Sequence, residues 1–335
     1  MEGFKERLLN TSKQDIKYCR VSIIIPCKKI DEYAEECIRC CLELDYPEFE
    51  VIVLPDHESK KSFNNVKIIP TGPVTPGAKR NIGMTVSSGE ICAFIDSDAY
   101  PPKDWLKNAV KYLNEEVAAV GGPAITPPGD SLMQRASGYA YAAASLFSNI
   151  IGRFKKGKAR ESDDIHSCNF IAYKRIIKEV GGWNEKYWPG EDTLLCLAIK
   201  RRGYKMLEAP DVVVYHHRKP LFRKHLKQVS QFALHRGFFI KKYKGNSLKI
   251  TYMIPTIITI LLLISIPAIM LIGGGMLGKF FMLIPSLYLS ITLLATILET
   301  EERKLIPIVW LGVILTHVTY GIYFVAGLLK KELKR

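Results

Sequence analysis

Two carboxylates, Asp96 and Asp98, flank Ser97 at the end of the apolar run Ile91-Cys92-Ala93-Phe94-Ile95. The run reads as a buried strand, and Pro101 and Pro102 just beyond it prevent its continuation. Side chains two apart on extended backbone share a face, so one or both acids can turn toward a hard divalent cation. Such a cation would neutralise a diphosphate. The competing reading is an ordinary polar turn, since Asp-x-Asp by itself is common. A second acidic pair, Glu191-Asp192, precedes Thr193-Leu194-Leu195-Cys196-Leu197. By residue type alone it suits the first turn of a helix, where acids are favoured. Lys79 and Arg80 open another helical stretch, an arrangement suited to an anionic ligand. Val212-Val213-Val214-Tyr215 ends in His216 and His217, two imidazoles at a strand end.

The elements that must hold these groups alternate. Val21-Ser22-Ile23-Ile24-Ile25-Pro26 is a β-branched run stopped by proline, suiting a first buried strand. Asp31 to Leu44 mixes acids with apolar residues at helical spacing, and Phe49 to Leu54 is a second strand ending in Pro55-Asp56-His57. Val66 to Ile69 is a third, followed by the breaker-rich Gly72-Pro73-Val74-Thr75-Pro76-Gly77 and a helix from Ala78. Strands alternating with helices predict a parallel, doubly wound α/β sheet with ligands at the carboxyl ends of its strands.

With these motifs in order, the chain resembles the family 2 glycosyltransferases, inverting enzymes of the GT-A fold, over Val21 to Gly237. The strand ending at Pro26 is similar to the family's opening segment. Asp56 stands where the family has a base-contacting carboxylate, and Lys79-Arg80-Asn81-Ile82-Gly83 resembles its ARN-x-G element. Asp96-Ser97-Asp98 resembles its D-x-D, Gly181-Gly182-Trp183-Asn184-Glu185 its GGF-D-E, and Gly190-Glu191-Asp192 the G-E-D that supplies the base. One departure is Pro55-Asp56-His57-Glu58, where the family usually has Asp-Asp-Gly-Ser.

The resemblance implies a set of roles. Pro26, Asp56, Lys79, Arg80, Asn81, Asp96 and Asp98 would bind a UDP- or GDP-sugar donor. Asp98, Asp96 and His216 or His217 would hold Mg²⁺ or Mn²⁺. Asp192 would be the catalytic base, with Glu191 positioning the acceptor alongside Trp183 and Arg236.

At 335 residues the chain holds one catalytic domain of ordinary size and a further, hydrophobic part. Tyr252–Ile272, Phe280–Leu298 and Ile306–Leu329 carry no Asp, Glu, Lys or Arg, and each can span a bilayer. Pro255, Pro267 and Pro285 inside them are tolerated in membranes. Met1–Arg20 is polar and charged, unlike a signal sequence. The net charge of +14 concentrates in Arg218 to Lys249, with no acid between Asp211 and Glu299. Nucleic acid can attract such a block, but its place beside membrane spans favours anionic headgroups and a cytosolic catalytic domain. Phe222, Leu226, Val229, Phe232, Ala233 and Phe239 among the cations predict an amphipathic helix on the headgroups. The uncharged Ala136 to Gly152 reads either as a core helix or as a lipid-contacting acceptor entrance.

The expected organisation is therefore an extension (1–20), a GT-A catalytic domain (21–220), a basic interfacial segment (221–249), transmembrane helices (250–329) and a basic tail (330–335). Three spans would send that tail away from the catalytic side, against the positive-inside tendency, unless one segment is re-entrant or interfacial.

Of the eight cysteines, Cys37, Cys40 and Cys41 superficially suggest zinc. No second ligand pair stands at the expected spacing, so helical packing and reduced thiols fit better. The function expected is transfer of a sugar from a nucleotide-sugar to a hydroxyl of a lipid-linked or glycan acceptor at the cell membrane. A polyprenyl-phosphate acceptor is the alternative, and it would need a base less. The Q-x-x-R-W signature of a processive synthase is not matched around Gln231, and a non-catalytic scaffold has no reason to keep both acidic motifs.

Overall fold

The computed structural model describes residues 19–146, 151–243, 245–272 and 275–333. Most of the expected extension 1–20, part of the stretch from Ala136 to Gly152, and the end of the basic tail fall outside these residues. The β-branched runs form β1 (Val21–Pro26), β2 (Phe49–Leu54) and β3 (Val66–Ile68), with helix α1 (Glu32–Leu42) after the first. Helix α2 (Pro76–Val86) starts two residues before the expected Ala78, because Thr75 caps it by accepting from the Ala78 amide at 3.2 Å. β4 (Ile91–Phe94) then joins β1, so that β3-β2-β1-β4 run parallel. Every residue of β1 and β4 is buried, as expected of central strands covered on both faces.

The second half departs from a purely parallel sheet. After β5 (Ala99–Tyr100) and α3 (Trp105–Val110) come β6 (Val117–Gly121), β7 (Ala124–Ile125), α4 (Leu132–Ser145), β8 (Arg160–Glu161) and β9 (Phe170–Tyr173). α5 (Lys174–Glu179), α6 (Glu191–Arg201), β10 (Lys205–Glu208) and β11 (Val214–His216) complete the series. The large sheet has the order β3-β2-β1-β4-β9-β6-β10-β8, and β9 runs antiparallel to both β4 and β6. Apolar runs alone do not reveal strand direction, which is decided by where the preceding connection delivers the chain. A second sheet, β5-β11-β7, pairs His216 with Ala99 and so folds the end of β11 over the turn that follows β4.

Four helices follow: α7 (Arg223–Lys242), α8 (Ile250–Ile272), α9 (Met276–Glu299) and α10 (Ile306–Leu329). Among the described residues, three helices, Ile250–Ile272, Met276–Glu299 and Arg303–Leu329, are long and apolar enough to cross a membrane. α8 and α9 expose apolar side chains such as Leu263, Met270 and Leu283, as lipid-facing helices do.

α7 differs from the expected surface helix. Arg223, Lys224 and Lys227 are exposed, but the opposite face packs on α10. The two helices run side by side in the same direction. Leu221 meets Gly312, His225 Nε2 lies 2.8 Å from Thr316 Oγ1, and Lys241 Nζ donates to the Leu328 carbonyl at 2.9 Å. A Cβ on Gly237 would stand 2.1 Å from the Phe324 carbonyl oxygen, and one on Gly327 2.1 Å from that of Leu234. Only glycine permits backbones this close. Both ends of α10 therefore touch the sheet-bearing part. Glu302, before α10, accepts from Arg135 Nε of α4 at 2.6 Å, and Leu333 packs beyond it with Tyr187, Phe238 and Phe239.

Candidate functional site

A single cavity of about 1470 Å³ begins at the carboxyl ends of β1 and β4 and extends down to α8 and α9. Pro26 and Asp56 line one end, Asp96, Asp98 and His216 the next stretch, and Glu191 and Asp192 its middle. Ile258, Leu262, Leu287 and Ile291 line the far end.

At the strand end, ligand atoms of Asp96, Asp98 and His216 all lie within 4.8 Å of one another. Pairing of β11 with β5 carries His216 to Asp98, where Nε2 and Oδ1 are 3.2 Å apart. Lys219 Nζ donates to Asp98 Oδ2 at 2.9 Å. Partial burial alone would raise the Asp98 pKa, but His216 and Lys219 outweigh it and hold the carboxyl well below its usual range. Arg218 Nη1 lies 3.1 Å from His216 Nδ1, so a neutral ring carries its proton on Nε2 and donates it to Asp98. The two carboxylates suit a hard divalent cation once it displaces Lys219 from Asp98. His216 can join them only by giving up its contact with Arg218.

His217 does not share this cluster. Adjacent residues on a strand point to opposite faces, and Nδ1 of His217 meets Asp130 at 2.6 Å while Nε2 meets Glu36 at 2.8 Å, with the ring stacked on Tyr33.

The two cations of α2 are not loose phosphate ligands. Lys79 Nζ, 3% exposed, is held by Asp56 at 2.8 Å and by the Leu54 carbonyl at 3.0 Å. Arg80 bridges Asp96 Oδ1 and Glu191 Oε1, each at 2.8 Å. Charges buried this deeply require counter-ions, and the site acids provide them. Asn81 is absent from the cavity lining: its Nδ2 donates to the Trp183 carbonyl at 2.9 Å and its Oδ1 accepts from the Trp183 amide at 2.9 Å. It brackets the turn after Gly182, whose φ of +79° suits glycine.

Trp183 is likewise internal. It is 2% exposed, edge-on to Phe94 and Phe170, and under the Arg80 guanidinium at 4.8 Å, so it cannot meet an acceptor. The tryptophan that reaches the cavity is Trp188, 53% exposed, which sequence reading passed over. Its place just before Pro189 and the Gly190-Glu191-Asp192 motif was the available signal.

Glu191 and Asp192 open α6 after Gly190, whose φ is +109°. Asp192 Oδ1 accepts from the Thr193 amide at 2.7 Å and Oδ2 from the Ser167 amide at 3.4 Å. Burial pushes the Glu191 carboxyl up to about 7 against the pull of Arg80, and the neighbouring Asp192 adds to the rise. Burial also raises Asp192, as does the negative charge of Asp164. Arg236 does line the cavity, but its Nη2 donates to Asp164 Oδ2 at 2.8 Å. Asp164, Arg153 and Arg218 carry no motif and were not foreseen. Asp164 and Arg153 acquire their places through tertiary contacts, and Arg218 through His216 and the Ala124 carbonyl.

Comparison with known proteins adds the following. The family model described as Glycosyl transferase family 2 matches residues 22–181. A relative from Methanococcus voltae, named dolichyl N-acetyl-alpha-D-glucosaminyl phosphate 3-beta-D-2,3-diacetamido-2,3-dideoxy-beta-D-glucuronosyltransferase, is 23% identical over 68% of this chain and 76% of its own length. Glycosyltransferase AglE of Haloferax volcanii is 25% identical over 65% of this chain and 72% of its own. Among solved structures, the mannosyltransferase PcManGT of Pyrobaculum calidifontis, in complex with GDP-Man and Mn²⁺, superposes with a TM-score of 0.65 at 18% identity. That match covers 98% of this chain and 94% of the mannosyltransferase, and it identifies the shared fold.

Proposed function

This chain belongs to glycosyltransferase family 2 and has the GT-A fold, and on that premise we propose that it transfers a sugar, with inversion, from a nucleoside-diphosphate sugar to a hydroxyl of a lipid-linked saccharide. The observation that carries the reading is one continuous cavity. It joins the Asp96/Asp98 end, the Glu191–Asp192 pair and the apolar walls of α8 and α9. A soluble acceptor has no use for those walls, whereas an acceptor with an apolar tail can rest on them while its hydroxyl meets Asp192. The name of the M. voltae relative, which describes transfer to a sugar on a dolichyl phosphate, supports the same acceptor class.

In this reading Asp96 and Asp98 hold Mg²⁺ or Mn²⁺, which supplies Lewis acidity toward the diphosphate. Pro26 and Asp56 border the nucleoside end, and Lys79 keeps Asp56 in place. Asp192 accepts the proton of the acceptor hydroxyl as that oxygen attacks the anomeric carbon, and the sugar–phosphate bond breaks with its electrons on the phosphate. Its raised proton affinity suits it to that task. Arg80 fixes Glu191 and Asp96 together, so that donor and acceptor ends share one rigid cation.

Residues 21–220 form the catalytic domain, 221–249 its basic membrane-facing segment and 250–329 the apolar helices. The cationic face of α7 favours the cytosolic leaflet. The close parallel packing of α7 and α10 supports a topology in which α8 and α9 form the crossing hairpin. α10 then lies obliquely beneath the domain and returns residues 330–333 to the catalytic side, which removes the conflict with the positive-inside tendency.

Two measurements test the proposal. Release of nucleoside diphosphate from a panel of UDP- and GDP-sugars should require both a divalent ion and a lipid-linked saccharide. Equal release with a bare polyprenyl phosphate would replace the hydroxyl acceptor by the phosphate one. A cysteine substituted at Leu333 should react from the same side of sealed vesicles as one in the catalytic domain. Labelling from opposite sides would make α10 a full span.

A further inference from the structure

A heavily charged junction outside the recognised motifs lies where α6, α7 and α8 meet, and Asp164 is at its centre. Its side chain is 4% exposed, yet it serves three elements and a turn. Oδ1 accepts from Thr193 Oγ1 in the first turn of α6 at 3.2 Å. Oδ2 accepts from Arg236 Nη2 of α7 at 2.8 Å and from Tyr252 Oη of α8 at 3.3 Å. Arg153 Nη2, from the turn 151–153, lies 3.3 Å from the same oxygen. The Arg236 guanidinium covers the Tyr252 ring at 4.2 Å, closing the junction.

We propose that Asp164 is a positioning residue for the proton-accepting end of the site, tying the base-bearing turn of α6 to the membrane-proximal helices and setting the charge that faces Asp192. The proposal rests on Asp192 being the base.

Its physical content is a charge balance. Asp192 faces Glu191 and Cys196 on its own helix, Arg80 from α2, Arg153 from the turn 151–153, Cys168 from the turn before β9, Asp164, and Arg236 from α7. Arg153 and Arg236 favour the ionised, weakly basic form of Asp192, and Asp164 opposes both. Burial alone would raise Asp164 as well, but Arg236 and Arg153 outweigh it and hold the carboxyl at about 2, so it stays charged throughout the working range. Asp164 also neutralises the buried Arg236 guanidinium and is the nearer of the two carboxylates beside Arg153, whose Nε lies 3.9 Å from Glu208 Oε1. Since Tyr252 belongs to α8, one of the helices that line the apolar end of the cavity, the same carboxylate fixes the lipid-facing wall against the reacting groups.

The test is the pH profile of kcat for the full-length protein at saturating donor and divalent ion. Asp164→Asn keeps the shape and removes the charge. Its acid limb should move to lower pH by about one unit or more, with a lower plateau because the base is weaker. Arg236→Gln removes a cation instead, and its limb should move the opposite way, to higher pH. Opposite displacements support the proposal. A fall in kcat with both limbs unmoved would overturn it, leaving the cluster a structural one. If Asp164→Asn does not fold, an unmoved limb in Arg236→Gln is sufficient to overturn it. Asp192→Asn separates the premise: if that variant keeps wild-type turnover and its acid limb, the base assignment itself has failed.

Discussion

The two acidic clusters of the cavity are built from the same residue types and behave oppositely. At the strand end, Asp98 receives His216 and Lys219, and its proton affinity is driven far down. At the helix end, Glu191 and Asp192 are buried beside one another, with Asp164 behind, and both are driven up. Arg80 touches both ends, at 2.8 Å from Asp96 and from Glu191, and so does not distinguish them. The distinction comes from the other neighbours: cations and partial solvent exposure in one case, burial and like charge in the other. One end is suited to hold a cation, the other to take a proton.

The largest expected effect breaks the strand end. Asp98→Ala should abolish divalent-dependent binding of the nucleotide-sugar while leaving the melting profile close to that of the wild type. Calorimetric titration of donor with and without Mn²⁺ checks it, and retained metal-dependent binding would remove Asp98 from the cation site. Next comes the helix end. Asp192→Asn should lower kcat by about a hundred- to ten-thousand-fold with donor affinity nearly unchanged, as expected of a group that acts in the transition state.

A third effect concerns stability and has a definite sign. A carboxyl whose folded pKa is raised binds its proton more tightly in the folded state, so its contribution to stability is complete below the unfolded value and is lost as pH rises through the folded one. For Glu191 that window runs from 4.5 to about 7. Glu191→Gln should therefore flatten the loss of melting temperature across this window. A wild-type slope in the variant would show that Glu191 does not titrate there.

The smallest effect sharpens the comparison. Lys219 is half exposed and competes with any cation for Asp98. Lys219→Ala should tighten Mn²⁺ binding, by less than tenfold, since exposed pairs are worth about 0.2–1 kcal/mol. Weaker binding would mean that Lys219 assists the cation or the diphosphate instead.

Much of this was readable from residue order. The β-branched runs, the Asp-Ser-Asp after β4 and the Gly-Glu-Asp before α6 lie within segments whose local periodicity decides their structure. The three charge-free stretches likewise state their own character. His217 was not separable from His216 by residue type; the alternation of a strand parts them, and only the pairing of β11 with β5 says which one meets Asp98. Trp183 and Trp188 present the same difficulty, because one inserts between Phe94 and Phe170 and the other does not. Asp164 gave no sign at all, since its partners lie in α6, α7 and α8.

The amino-acid sequence by itself determined β1 to β4 and β11 and their order along the chain, the acidic motifs that line the cavity and the apolar character of the last helices. These follow from short-range periodicity and chain stiffness. Only the tertiary structure decided the direction of β9, the neighbours that push Asp98 and Asp192 apart in proton affinity, and the course of α10 against α7. Those depend on groups brought together from distant parts of the chain, and electrostatic interactions and close backbone contacts act through space, without regard to separation in sequence.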